Sequence, residues 1–127
     1  VAPIRTMLDE GLWVTLGSDI AGGDVLSMLG VITEAIKSSK IKRIESNWTK
    51  DFLSVAEAFY LGTTAGAKYF GGGDGFAIGD KFHAVVIKDS DAIDVKQLSI
   101  RERFERAIYR TKEQDIIAVY SDGRRVK

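Results

Sequence analysis

Cysteine is absent from the 127 residues, and proline and histidine occur once each. Without thiols the chain can form neither a disulfide framework nor a thiolate metal site. The same absence accords with a reducing compartment, and the cytoplasm is the expected location. A single histidine also falls short of a catalytic zinc site, which takes about three protein ligands, commonly histidines. No apolar run approaches the roughly 20 residues that would span a bilayer. No signal-peptide pattern opens the chain. An excess of either charge is missing too: 18 basic residues face 18 acidic ones, so no net pull toward nucleic acid or a membrane surface exists. Finally, Val1-Ala2-Pro3 carries no initiator Met, and an amphipathic segment (Ile4, Met7, Leu8) begins almost at once. A piece of a longer protein is expected.

What is present reads as one α/β unit of ordinary globular composition, with 45% hydrophobic residues. Residues 3–9 resemble the last turns of a helix, opened by Pro3 and stopped by Gly11. Residues 12–16 form a continuous apolar run, as in a parallel strand buried on both faces, with Trp13 in the core. A helix follows, with Val25, Met28, Leu29, Ile32, Ala35 and Ile36 on one face and Asp24 as its N-cap. Residues 38–50 are polar and basic, and a surface loop is expected there. Residues 53–70 read as two helices bent near Gly62 to Thr64. The glycine-rich residues 71–80 then change the character of the chain. Strands are expected over 82–87 and 116–120, a helix over 98–109, and a hairpin at Ser121-Asp122-Gly123-Arg124 with a return through Val126. A boundary near Phe70 divides an α/β part, residues 1–70, from a small sheet-containing part, residues 71–127.

Chemistry in parallel α/β folds, and above all in (β/α)8 barrels, sits where strands end and the next loops begin. Asp19 occupies that place, after the apolar run and before Gly22-Gly23. It is either a capping or loop-stabilising acid or a metal ligand and proton carrier at a barrel mouth. The glycine pair lets the backbone pass close to a ligand. Other candidates read more plainly. His83 lies in a strand pattern and is packed or solvated. The run from Gly71 to Gly75 lacks the Lys-Ser/Thr ending of a phosphate-binding loop and leads into strand, so it is a flexible connection. Trp48 is surface packing, and Lys37, Lys40, Lys42 and Arg43, balanced by Glu34 and Glu45, form a solvated helix end. Arg101, Glu102, Arg103, Glu105 and Arg106 form an exposed helix face with mixed-sign pairs.

The stretch Leu16-Gly17-Ser18-Asp19-Ile20-Ala21-Gly22-Gly23, followed by Leu26-Ser27-Met28-Leu29, closely resembles the segment after the eighth barrel strand in guanine deaminases of the amidohydrolase superfamily. The resemblance continues through residues 53–60 and 64–68, Ile78-Gly79-Asp80 with residues 84–87, and residues 101–109 and 119–126. It covers essentially the whole chain. It implies the C-terminal part of a (β/α)8 metal-dependent hydrolase barrel plus strands of the small β-sandwich domain. It further implies a zinc-dependent aminohydrolase that turns guanine and water into xanthine and ammonia, active only with the N-terminal part of the same enzyme, and a homo-oligomer. By the same resemblance Asp19 is the catalytic and substrate-binding acid: it ligates the zinc, bonds the attacking water and helps move its proton. The family's His-x-His pair, its later histidines and its glutamate all precede this segment. His83 falls where relatives carry an acid, and Thr111-Lys112-Glu113-Gln114-Asp115 departs from the Gly-Asp-Asp-Arg-Asn-type run of relatives. Another deaminase or chlorohydrolase of the superfamily, or a non-catalytic truncated dimerisation module, is the alternative.

Overall fold

The computed structural model describes residues 1–73, 75–89 and 97–127. Its elements run in the order α1 (Ile4–Asp9), α2 (Met28–Glu45), α3 (Val55–Gly62), α4 (Thr64–Tyr69), β1 (Ala84–Ile87), α5 (Ile100–Arg110), β2 (Ile116–Ser121) and β3 (Arg124–Arg125).

The helices make one layer. Ile32, Ala35 and Ile36 of α2 meet Leu53, Ala58, Leu61, Ala65 and Ile108, and Ile4, Leu8, Val14 and Leu16 pack against this cluster. Ile32, Ile36 and Leu53 are the largest fully buried side chains; burial of each is worth about 1.5–3 kcal/mol. Although α5 follows β1 in sequence, it returns to α2 and α3. Its Ile108 joins the core, and the rings of Phe59 and Phe104 meet edge to face at 5.0 Å.

Helix α2 departs from the sequence expectation at both ends. It starts at Met28, with Ser27 rather than Asp24 at the N-cap position and no side-chain cap bond. Val25 lies outside the helix and folds back onto Gly30, its Cγ1 standing where a Cβ on residue 30 would be. The C-terminal end extends to Glu45, through residues expected as loop. Alternate polar positions are helical because their side chains are accommodated locally. Lys37–Glu34 and Lys42–Glu45 pair at 2.7 and 2.6 Å. Buried Ser39 donates its hydroxyl to Ile36 O at 2.7 Å and accepts the Leu53 amide at 2.9 Å. Asn47 and Trp48 then turn away with φ of 50° and 66°. The Arg43 guanidinium lies 5.2 Å from the Trp48 ring.

The bend predicted near Gly62 is present: α3 ends at Gly62, Thr63 intervenes and α4 begins at Thr64. A capping box opens α3. Ser54 Oγ accepts from the Glu57 amide at 3.2 Å, while the Ser54 amide donates to Glu57 Oε2 at 2.9 Å. Ser99 and Glu102 repeat it at α5.

In the described residues β1, β2 and β3 form an antiparallel sheet in that order, pairing Ala84 with Tyr120, Val85 with Val119, Val86 with Ala118 and Ile87 with Ile116. The hairpin joining β2 to β3 is the one read from the sequence. Asp122 and Gly123 take φ of 48° and 76°, the paired positive values that a two-residue turn of right-handed strands requires.

Candidate functional site

Residues 12–18 belong to no helix or strand among the described residues. Expected as a strand buried on both faces, they are covered on one. Val14 and Leu16 pack on the helical core, and the Leu16 amide donates to Leu61 O at 3.0 Å. Leu12 and Trp13 are instead 50% and 62% exposed, so Trp13 is not a core residue. Its indole Nε1 donates to Ala65 O at 3.3 Å, which keeps the ring on the surface of α4. The physical reason is plain: a buried parallel strand needs a neighbour along each edge, and the described residues place none there.

This run ends in a tight turn that carries Asp19. The Asp19 carbonyl accepts the amides of both Gly22, at 2.8 Å, and Gly23, at 2.6 Å. A lone parallel bridge links Ile20 with Gly23. Asp19 has φ of 45° and Ala21 φ of 81°. Aspartate tolerates this left-handed region; for alanine it costs roughly 1–2 kcal/mol. Such conformations persist where surrounding bonds over-determine them, and they concentrate at working parts of proteins. The sequence signalled the acid and its glycines. It did not signal that Gly22 would lie directly beneath the Asp19 carboxylate: a Cβ on Gly22 would stand 2.6 Å from Asp19 Oδ2. Asp19 itself is exposed.

Could these residues hold a metal? No three histidine, aspartate or glutamate side chains converge among the described residues. Asp19 offers one oxygen donor of suitable chemistry, and the described residues alone do not fit a zinc site.

The remaining candidates lie in ordinary surroundings. His83 precedes β1 and faces the hairpin, its Nε2 3.3 Å from Asp122 Oδ1. Within the glycine-rich connection, Asp74 lies outside the described residues. On α5, Arg101 and Glu105 pair at 3.2 Å as expected. Arg103 and Arg106 instead reach across to Asp89, at 2.7 and 2.9 Å. These two hydrogen-bonded guanidinium groups, Arg106 first, hold the Asp89 carboxyl below its usual range. At Glu57, burial works to raise the pKa, but bonds from Arg5 and Ser54 together lower it. A depression of about 220 Å³ is lined by Lys88, Asp89, Arg106, Arg110, Lys112 and Asp115. A broader groove of about 530 Å³ includes Arg5, Asp9, Lys50 and Glu57, whose charges pair as Arg5–Glu57 and Lys50–Asp9. Neither contains Asp19. No described helix is long and apolar enough to cross a membrane.

Among solved structures, the chain is similar to the guanine deaminase of C. acetobutylicum with guanine bound in its active site. The TM-score is 0.90 at 40% identity, covering 98% of this chain and 30% of that one. The guanine deaminase of E. coli superposes with a TM-score of 0.76 at 26% identity, over 98% of this chain and 29% of its own. Among curated sequences, a guanine deaminase of Dictyostelium discoideum is 30% identical over 133 residues, which span 98% of this chain and 29% of that protein. A probable guanine deaminase of Schizosaccharomyces pombe is 28% identical, over 99% of this chain and 25% of its own. The chain thus spans less than a third of the length of each of these relatives. The sequence pattern of the Amidohydrolase family matches residues 1–126, and the chain belongs to that family.

Proposed function

We propose that the chain is the C-terminal portion of a zinc-dependent guanine deaminase, which hydrolyses guanine to xanthine and ammonia. In this reading residues 1–70 provide the last strand and following helices of a (β/α)8 barrel. Residues 71–127 provide the C-terminal part of the small β-sandwich domain, with a terminal helix and hairpin. Asp19 is the carboxylate that this portion brings to the reaction centre. It offers one donor to the zinc, and the other donors come from parts of the protein outside these residues. Without those parts the 127-residue chain is inactive toward guanine.

The observation that carries the proposal is the close superposition of nearly the whole chain on a guanine-bound guanine deaminase. The reading of Asp19 is supported by its position after the apolar run of residues 12–16 and at the start of a tight turn, since barrel enzymes draw their catalytic acids from strand ends and the loops that follow. A chimera tests it. In the C. acetobutylicum enzyme, the segment matched by this chain is replaced with residues 1–127, and xanthine formation from guanine is followed. Turnover is expected, and Asp19→Ala should remove it by several orders of magnitude while the chimera stays folded. A folded chimera that ignores guanine but deaminates another aminated ring would reassign the substrate. Undiminished turnover in Asp19→Ala would remove the role given to this acid.

A further inference from the structure

Gly22 and Gly23 have a task other than giving a ligand room. We infer that they are positioning residues: Gly22 sets the direction of the Asp19 carboxylate, and Gly23 keeps closed the turn from which it projects. The inference rests on the reading of Asp19 as the acid of the reaction centre.

The two glycines act on different atoms. Both amides bond to the Asp19 carbonyl, at 2.8 and 2.6 Å, which fixes the backbone from which the side chain leaves. Above that fixed base, the carboxylate lies against the Cα of Gly22. A methyl group there would stand 2.6 Å from Asp19 Oδ2 and 3.2 Å from its Cγ. The neighbour is the end of a rotatable side chain, so it would swing away while the turn remained. At Gly23 a Cβ would strike the carbonyl oxygen of Ser18. That neighbour is backbone, and relief requires the turn to open. Gly17 provides the contrast, since a Cβ there meets nothing within 4 Å.

The variants Gly22→Ala, Gly23→Ala and Gly17→Ala of the 127-residue chain separate these effects. Three-bond couplings across the Asp19 Cα–Cβ bond report its rotamer, and amide exchange at positions 22 and 23 reports the turn. Gly22→Ala should change the Asp19 couplings and leave both amides protected. Gly23→Ala should speed exchange at both amides. Gly17→Ala should do neither. Unchanged Asp19 couplings in Gly22→Ala overturn the inference.

In the chimera, Gly22→Ala should lower kcat by about 100-fold with little change in KM, the loss associated with a misplacement of roughly 1 Å. If Asp19→Ala abolishes turnover and Gly22→Ala does not, the carboxylate needs no such positioning and the inference falls. If both variants turn over guanine normally while the Asp19 couplings still move in Gly22→Ala, the positioning stands and the role of Asp19 falls instead.

Discussion

Gly62 and Gly66 stand on consecutive helices, and their surroundings oppose each other. A Cβ on Gly62 would stand 2.7 Å from Ile32 Cγ1 and 2.8 Å from its Cδ1, and Ile32 is fully buried. Gly66 has nothing within 4 Å of that position. Gly62→Ala should therefore overpack the α2–α3 contact and destabilise the chain by about 1–3 kcal/mol. Gly66→Ala should stabilise it by about 0.5–1 kcal/mol through helix propensity. Urea unfolding midpoints of the two variants check both signs. At this scale the sequence was legible where one residue carries its own signal. The Asp122-Gly123 turn was readable from hairpin chemistry, and the turn that carries Asp19 from the glycines that follow it. Trp13, expected in the core, lies on the surface, because an apolar side chain in an apolar run says nothing about which face its neighbours cover.

Elements were read best in their interiors and least well at their ends. The α2 face of Met28, Leu29, Ile32, Ala35 and Ile36 was plain in the spacing, but the helix starts at Met28 and leaves Val25 outside it, against Gly30. Its last turns looked like loop because serine and lysine weaken an apolar pattern without weakening a helix. The capping boxes at Ser54 and Ser99 carry a Ser-x-x-Glu signal that the periodicity reading passed over, and they place both helix starts more sharply than periodicity can. The link between α5 and the end of the β1 segment has a pH dependence. Arg106 and Arg103 depress the Asp89 pKa in the folded chain. A depressed carboxylate contributes its stability above its unfolded value, about 3.9, and loses it as pH falls through the folded value. The stability difference between the native chain and Asp89→Asn should accordingly be present at neutral pH and close below about pH 4. Urea unfolding across that range measures it, and the exposure of the pair predicts further weakening with added salt.

On the scale of the whole molecule, the helical layer and the sheet were legible in order and type. The pairing state of residues 12–18 was not, since periodicity reports what a segment can bury and not which neighbours are present. The observed state leaves much apolar surface in view, including Leu12, Trp13, Ile20 and Leu26. Large exposed apolar patches are typical of surfaces that another segment or chain covers. In a Trp48→Phe background, Trp13 emission should be red-shifted in the 127-residue chain and move to shorter wavelength in the chimera, where barrel neighbours would cover it. Equal emission in the two would mean that this face stays open to water in the chimera as well.

The return of α5 to the helical layer has a mechanical meaning for the molecule. Thr33 Oγ1 of α2 lies 3.5 Å from Ile108 O, Phe104 rests on Phe59, and Ile108 is part of the central core. Helix α5 is therefore held by α2 and α3 as well as by the chain that leads to it, and the backbone at residues 71–73 is a leash rather than a hinge pin. Severing that leash would leave the two pieces locked together, as a knot holds after its loose end is trimmed.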